Sequence, residues 1–281
     1  NTTMAPTALS GQIQTVLGPI APDALGPTLM HEHLLWDIAP PSLAARNDPG
    51  PEITLETFWK YHYGEISFPR NYRLHDVAVA IDEVGRMRAD GGRAIVELSC
   101  GGLKPDPRGL QAIAQATGVT IVMGCGYYVE EYQDPRNHDR AVDDFAREIV
   151  AQVTDGAWGT TVRAGMIGEI GCQSPWTGLE RRVMRAALIA QRETGAAVNV
   201  HPGRHPDQPQ EVADFVRANG VRTIYYESLV DPKVAQTVAS ETGATTAMLD
   251  PLEGLAQGST DDYLTVMRKN LETVQKGQSC T

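Results

Sequence analysis

Arg93-Ala94-Ile95-Val96-Glu97-Leu98-Ser99 is a short, β-branched run of the kind that forms a buried strand. The apolar positions of residues 75–90 before it repeat with helical spacing, and a glycine pair marks the turn between the two. A second run, Val119-Thr120-Ile121-Val122-Met123-Gly124, follows and is again preceded by a glycine. This alternation predicts repeated strand–helix units around a parallel sheet.

The same alternation extends along most of the chain. Further strands are predicted over residues 28–31, 164–169, 197–201, 223–227 and 244–249, and a further helix over residues 179–194. Residues 36–72 differ, since they are rich in Pro, Asn and aromatic residues. They predict a long insertion after the first strand, where barrel enzymes build substrate-facing loops. We therefore expect an α/β fold.

Composition and charge argue against several classes of protein. The formal net charge is -11, and binding to nucleic acid or an anionic membrane needs clustered Lys and Arg, so we expect neither partner. No apolar stretch reaches the ~20 residues that span a bilayer. The four cysteines lie far apart. Their spacing fits neither a zinc ribbon nor a disulfide framework, and the first three are expected to be small buried side chains.

Two histidines with a single residue between them lie at the end of the first predicted strand, in the run Pro27-Thr28-Leu29-Met30-His31-Glu32-His33-Leu34. Residues two apart in a strand project to the same side, so both imidazoles can reach one ion from a rigid base. Neutral imidazole suits zinc, and a site with two or three protein ligands and an open position activates water. Taken alone, such a pair also fits a surface or capping role.

Glu169 and His201 also stand at the carboxyl ends of predicted strands. In a barrel of parallel strands these ends converge on one face, together with His31 and His33. Glu169 lies between glycines in Ile167-Gly168-Glu169-Ile170-Gly171, where a carboxylate can anchor one ion or bridge two and the backbone can approach metal or substrate closely. Each residue alone fits a strand-end charge or a loop histidine, but together they predict a metal site.

Motifs in a fixed order carry a resemblance to a known family. They are GQIQTVLG at 11–18, MHEHL at 30–34, GMIGEIGC at 165–172 and VHPGR at 200–204. Over roughly residues 9–217 they resemble the phosphotriesterase-related proteins of the amidohydrolase superfamily. The resemblance implies a TIM-type (β/α)8 barrel that holds two divalent ions, usually zinc.

The family match also implies roles for the matched residues. His31, His33 and Glu169 would bind the first ion, Glu169 would reach the second as well, and His201 would bind that second ion. Better-known phosphotriesterases bridge their ions with a carboxylated lysine, whereas a glutamate fills the position here, so assembly should not need carbon dioxide. A hydroxide held between the ions would attack an ester, lactone, amide or phosphotriester bond. The chain is thus expected to be a binuclear metal-dependent hydrolase of a small-molecule substrate.

Arg204 follows His201 closely and is a candidate substrate-binding residue. A guanidinium pairs with carboxylate or sulfonate at two points, so Arg204 could anchor an anionic part of the substrate. A surface salt bridge explains Arg204 equally well. Members of the family hydrolyse organophosphate triesters, lactones, or the amide bond of N-acylated amino acids and sulfonates, and the motifs do not choose among these.

The resemblance ends near residue 217. The family places a further histidine after the sixth strand and an aspartate after the eighth. Neither can be matched, because no histidine follows His205 and only two strand candidates remain instead of three. Residues 221–281 instead resemble the carboxyl-terminal part of zinc- and manganese-binding proteins of ABC transporters, in which the aspartate matching Asp250 is a metal ligand. We expect Glu227 to replace the missing histidine as a ligand and Asp250 to be the catalytic proton acceptor. Asp250 before Pro251 also fits a turn cap.

The expected organisation is a hydrolase barrel portion over residues 1–217 and an atypical strand–helix–strand–helix segment over residues 218–281. The second part would complete the same domain, so that the barrel is either incomplete or has atypical last units. Two readings without catalysis stay open, namely a transport-associated metal-binding protein and an inactive hydrolase relic. The family favours the cytoplasm, whereas the tail resembles exported proteins. A homodimer is left open.

Overall fold

A computed structural model of the chain describes residues 11–203, 211, 214, 215, 218, 223–227, 245–249 and 259–277. The chain divides into two compact units, Asn1–His201 and Pro202–Thr281, which are described in turn. The predicted boundary at residue 217, with both parts in one domain, stays a prediction.

Strands and the longer helices alternate in the described residues, as the sequence predicts. The strands are β1 (Ile13–Thr15), β2 (Gly18–Ile20), β3 (Thr28–Glu32), β4 (Trp36–Asp37), β5 (Arg73–Leu74), β6 (Ala94–Glu97), β7 (Thr120–Cys125), β8 (Met166–Cys172), β9 (Val198–Pro202), β10 (Thr223–Glu227) and β11 (Thr245–Leu249). The α-helices are α1 (Pro41–Ala44), α2 (Phe58–His62), α3 (Val77–Ala89), α4 (Pro107–Thr117), α5 (Val142–Thr154), α6 (Gly178–Thr194) and α7 (Tyr263–Gly277). Short 3-10 helices cover Pro22–Ala24, Pro69–Tyr72, Glu130–Tyr132 and Pro135–Asp139.

The first unit is built on a five-stranded sheet in the order β3-β6-β7-β8-β9. The pairs β3–β6, β6–β7 and β7–β8 are parallel. All the residues of β6 and nearly all those of β7 and β8 are buried, which is typical of a parallel sheet covered on both faces. The predicted α/β fold is therefore confirmed, whereas an eight-stranded barrel goes beyond what the described residues show.

Local sequence signals explain where the helices begin and end. The side chain of Asp106 accepts the amide of Gly109 at the start of α4, and that of Thr177 accepts the amide of Glu180 at the start of α6. Both helices end at a glycine in the left-handed region, Gly118 at φ 67° and Gly195 at φ 76°. The glycines therefore return the chain to the sheet, as predicted.

Three of the cysteines lie in the core of the first unit. Cys100, Cys125 and Cys172 have no exposed surface. This confirms their prediction as small buried side chains. Burial raises the pKa of the Cys100 and Cys125 thiols well above the usual value, so both stay protonated.

The predicted insertion over residues 36–72 is confirmed and has a structured start and finish. β4 and β5 pair antiparallel, with Trp36 opposite Leu74 and Asp37 opposite Arg73. The two short helices α1 and α2 lie between them. We call the pair of β4 and β5 the clasp. The sequence did not predict it, because strands of two residues carry no periodicity.

In the second unit, β10 and β11 form a parallel pair with Thr223 opposite Thr245 and Glu227 opposite Leu249. Both strands lie where the sequence predicts them. α7 follows, and its Val266 is buried at 4% exposure. No helix in the described parts of the chain has the length and apolar character needed to cross a membrane.

A buried acid links the end of β6 to the segment that follows β3. Glu97, at the end of β6, is 1% exposed, and its carboxyl group accepts the backbone amides of Leu34 and Ser99, each at 3.3 Å. Burial raises the pKa of Glu97 from 4.5 to about 8, in spite of the hydrogen bonds from Ser99 and Leu34 that oppose this rise. Glu97 therefore keeps its proton at pH values where an exposed glutamate is ionised.

This shift predicts how stability depends on pH. Between pH 4.5 and pH 8 the native chain holds a proton on Glu97 that the unfolded chain has lost, so the free energy of unfolding falls as pH rises through that window. In metal-free buffer we expect the wild type to lose up to about 1.4 kcal/mol per pH unit relative to Glu97→Gln. Urea unfolding at several pH values measures the difference. The exposed Glu83→Gln should run parallel to the wild type, and parallel curves for Glu97→Gln would contradict the prediction.

Candidate metal centre

A buried carboxylate surrounded by three imidazoles lies at the sheet of the first unit. Glu169 is 2% exposed. Its Oε2 lies 3.2 Å from His31 Nε2 and 2.8 Å from His201 Nδ1, and its Oε1 lies 3.4 Å from His33 Nε2. These residues come from strands far apart in sequence, so the fold brings together the four that the strand-end argument singled out.

The strands fix where each side chain stands. His31 lies within β3 and His33 directly follows its last residue, while Glu169 and His201 lie within β8 and β9. The two rings at β3 meet edge to face, with centroids 5.4 Å apart. Nitrogen atoms of His31 and His33 and an oxygen of Glu169 lie within 4.8 Å of one another. Imidazole nitrogens and a carboxylate oxygen are ligands that zinc and related divalent ions prefer.

The charge of the cluster also fits a cation. Burial by itself would raise the pKa of Glu169, but hydrogen bonds with His201, His31 and His33 outweigh it and hold the pKa far below its ordinary value. The carboxyl group is therefore ionised in a place that solvent barely reaches. A buried anion needs a compensating charge, and a divalent ion among these donors would supply it.

Glycines around Glu169 allow the strands to come this close. A Cβ atom at Gly168 would lie 2.6 Å from the carbonyl oxygen of Asn199 on β9. A Cβ atom at Gly171 would lie 2.4 Å from the backbone of Tyr128. Both distances are shorter than real Cβ contacts. These glycines thus let neighbouring backbones approach closely, whereas the predicted approach of the backbone to a metal or substrate stays a prediction.

Tyr128 contributes to the cluster and was missed by the sequence reading. Its hydroxyl lies 3.1 Å from His201 Nε2, on the opposite side of the ring from Glu169. Burial, with a further contribution from the Glu169 carboxylate, raises the pKa of Tyr128, so the phenol stays protonated. Its position shortly after β7 is the signal that could have revealed it, because that strand ends at the same rim.

His33 has neighbours on its other sides as well. Its Nδ1 lies 3.1 Å from the hydroxyl of Ser99. The indole of Trp36, from the clasp, stacks on the imidazole with centroids 4.7 Å apart and planes inclined by 14°. The ring is therefore held on one face and at both nitrogens.

A cavity of about 550 Å³ adjoins Trp36. Its lining includes the basic side chains Arg70, Arg73 and Lys104 and the acid Asp37. Asp37 pairs with Arg73 at 3.0 Å and with Lys104 at 2.5 Å, whereas Arg70 Nε donates to the backbone oxygen of Gly50 at 3.3 Å. The cavity therefore combines an aromatic wall with an orientated guanidinium group.

The remaining predicted site residues stay predictions. Glu227 is the last residue of β10, in the second unit. Arg204 and Asp250 lie outside the residues that the structure describes.

Comparison with known proteins finds two family profiles in the chain. Residues 11–225 match the Phosphotriesterase family, and residues 187–277 match Zinc-uptake complex component A periplasmic. N-acetyltaurine hydrolase from Xenopus tropicalis is 36% identical over 220 residues, and that from Rattus norvegicus is 35% identical over 220 residues. Each match covers 76% of this chain but 63% of the relative, so the chain spans less than two thirds of these curated relatives.

A solved structure shows the same fold. The crystal structure of a Resiniferatoxin-binding protein from Rhodobacter sphaeroides superposes with a TM-score of 0.73 and 33% identity, over 97% of this chain and 80% of that one. The sequence motifs, the family profile over most of the length and these relatives agree. The chain belongs to the phosphotriesterase family.

Proposed function

We propose that the chain is a binuclear metal-dependent hydrolase. The observation that carries the proposal is the ionised, buried Glu169 carboxylate within 3.4 Å of nitrogen atoms of His31, His33 and His201. Family membership supports it, since the two curated relatives named above are N-acetyltaurine hydrolases. Their greater length makes the activity of this chain a proposal.

In this proposal His31, His33 and Glu169 would hold one divalent ion, and Glu169 and His201 a second, with zinc the expected metal. When bound, such ions lower the pKa of water to about 7 and polarise the oxygen of the bond under attack. The buried Glu169 carboxylate would contribute negative charge that two neighbouring cations need. His31 is the most exposed of the three histidines, at 46% side-chain exposure against 2% for Glu169, so we expect the substrate on its side.

In this proposal the His201 ring and the Tyr128 hydroxyl each carry a proton. If Nδ1 of His201 serves as the ligand atom, its Nε2 carries the proton and donates it to the oxygen of Tyr128. Tyr128 keeps its own proton because its pKa is raised. That hydroxyl is then a donor for substrate oxygen at the same rim.

The substrate class we propose is an N-acylated amino acid or amino sulfonate, cleaved at the amide bond. The name N-acetyltaurine hydrolase supports it, since taurine bears a sulfonate. The cavity beside Trp36 supports it further, because Arg70 can pair with a sulfonate or carboxylate at two points. Arg204 is the second candidate for this anchoring role.

The finer fold proposal is a (β/α)8 barrel in which residues 218–281 complete the domain. Glu227 would then stand in for the sixth-strand histidine and Asp250 for the catalytic aspartate. Unchanged metal content and turnover in Asp250→Asn would remove Asp250 from the site. A homodimer also stays a proposal.

One observation favours a second candidate function. The match of residues 187–277 to a zinc-uptake component is consistent with a protein that binds metal without catalysis. Metal binding with no turnover of any ester, lactone, amide or phosphotriester would support this candidate over the hydrolase.

Substitution of the central carboxylate tests the metal centre. We expect Glu169→Gln to lose most of its bound metal and to reduce kcat/KM by more than about 100-fold, because even supporting groups around a metal site contribute 10- to 100-fold. Elemental analysis and amide hydrolysis measure the two effects. The control is Glu180→Gln, which changes an equally buried glutamate that accepts the amides of Glu130 and Gln173. Wild-type metal content and turnover in Glu169→Gln would contradict the proposal.

Replacement of the guanidinium in the cavity tests the substrate class. We expect Arg70→Gln to raise KM about tenfold for N-acetyltaurine and for N-acetyl amino acids, the effect of one charge-assisted hydrogen bond, with no change for a neutral aryl ester. Arg86→Gln, on the exposed side of α3, is the matched control. An equal effect of Arg70→Gln on anionic and neutral substrates, or an anion-specific effect of Arg204→Gln alone, would show that this cavity does not hold the anion.

A further inference from the structure

The cavity beside Trp36 holds more cationic than anionic side chains. Its lining includes three cations and two carboxylates, which are Arg70, Arg73, Lys104, Asp37 and Asp106. With histidine neutral, one net positive charge remains in a space of about 550 Å³, a volume in the range of small-molecule sites. The pairing of these charges decides which cation is left for a ligand.

Asp37 engages two of the three cations. Its Oδ2 lies 3.0 Å from Arg73 Nε and 2.5 Å from Lys104 Nζ, while its Oδ1 accepts the amide of Ala39 at 2.9 Å. The Asp37 side chain is 12% exposed. Burial by itself would raise the pKa of Asp37, but hydrogen bonds from Lys104 and from the Ala39 amide outweigh it and lower that pKa below its ordinary value. Asp37 therefore carries a full negative charge.

The clasp brings these three charges together. Asp37 lies opposite Arg73 in the antiparallel pair of β4 and β5, where opposite charges on facing residues attract each other. The backbone amide of Asp37 donates to the carbonyl oxygen of Leu103 at 3.0 Å, which places Lys104 beside the same carboxylate. One acid thus balances a cation at the end of the insertion and a cation in the loop after β6.

The two other charges of the cavity have different partners. Asp106 Oδ1 accepts the amide of Gly109 at 2.9 Å at the start of α4, where the positive end of a helix also favours a carboxylate. Arg70 Nε donates to the backbone oxygen of Gly50 at 3.3 Å. Among the described residues no carboxylate pairs with Arg70, so its charge is the one left for a ligand.

We propose that Asp37 is a specificity-determining residue that limits the cavity to ligands with a single negative charge. A sulfonate or a carboxylate pairs with Arg70. A second negative charge on the ligand finds Arg73 and Lys104 already engaged and meets the Asp37 carboxylate, which repels it. The inference rests on the substrate cavity of the proposed function and narrows its substrate class to monoanions.

The first measurement is calorimetric binding of two ligands to the purified full chain at pH 8. The N-methanesulfonyl derivatives of asparagine and aspartate have nearly the same shape, carry one and two negative charges, and contain a sulfonamide bond that resists hydrolysis. We expect the wild type to bind the asparagine derivative about tenfold more tightly, a modest effect for one partly shielded charge. Asp37→Asn releases Arg73 and Lys104, so this preference should disappear or reverse.

A second variant separates the charge of Asp37 from its role in the clasp. Asp37→Asn combined with Lys104→Met returns the cavity to one net positive charge, although the clasp still lacks its carboxylate. We expect the preference for the monoanion to return in this double variant. The matched control is Asp82→Asn, which removes a carboxylate paired with Arg86 at 2.6 Å on the exposed side of α3 and should keep the wild-type preference.

The outcomes separate this inference from the hydrolase proposal. The inference is overturned if the wild type binds neither ligand or binds both equally, or if Asp37→Asn keeps the wild-type preference. An equal loss of affinity for both ligands in Asp37→Asn, or a double variant that does not recover, would show that Asp37 only holds the clasp together and would overturn it too. Charge-selective binding without turnover of N-acetyltaurine would leave the inference standing and count against the hydrolase, whereas turnover without charge selectivity would do the reverse.

Discussion

The first unit depends on one electrostatic constraint, an ionised glutamate that solvent hardly reaches. Glu169 is 2% exposed and stays ionised because imidazoles on three sides hydrogen-bond to it. Burying a charge is costly unless partners surround it, so His31, His33 and His201 are as necessary to Glu169 as it is to them. The placement of β3 beside β6 and of β9 beside β8 is what satisfies this carboxylate.

The residues around Glu169 pack closely against it and hydrogen-bond to it or to its histidine partners. Glycines 168 and 171 let neighbouring backbones approach within distances that no side chain would permit. Cys100 donates its thiol proton to the backbone oxygen of Glu169 at 3.0 Å. The hydroxyls of Tyr128 and Ser99 contact the ring nitrogens of His201 and His33 that face away from Glu169. Polar groups buried together in this way are stable only when each finds a partner.

Much of this arrangement could be predicted from the sequence, and the reason is periodicity. The runs around Ile95, Ile121 and Ile167 are long and β-branched enough to mark buried parallel strands, and residues that end such strands must share a rim. The contacts of Tyr128 with His201 and of Ser99 with His33 were not predicted. They depend on how the imidazole rings are oriented, and spacing along the chain carries no such information. The clasp of β4 and β5 escaped because two-residue strands have no pattern. Within residues 221–281, strands β10 and β11 were predicted correctly. The strand pattern alone does not say where the Glu227 carboxylate lies relative to metal-binding residues far away in sequence.

The stacking of Trp36 on His33 has a consequence for how this protein can be observed. An indole in face-to-face contact with an imidazole loses fluorescence when that imidazole becomes electron-poor. If His33 binds a cation as proposed, the emission of Trp36 would be expected to change, because the indole stacks directly on that imidazole. Trp36, which the insertion provides, would then report metal loading without a dye and without turnover.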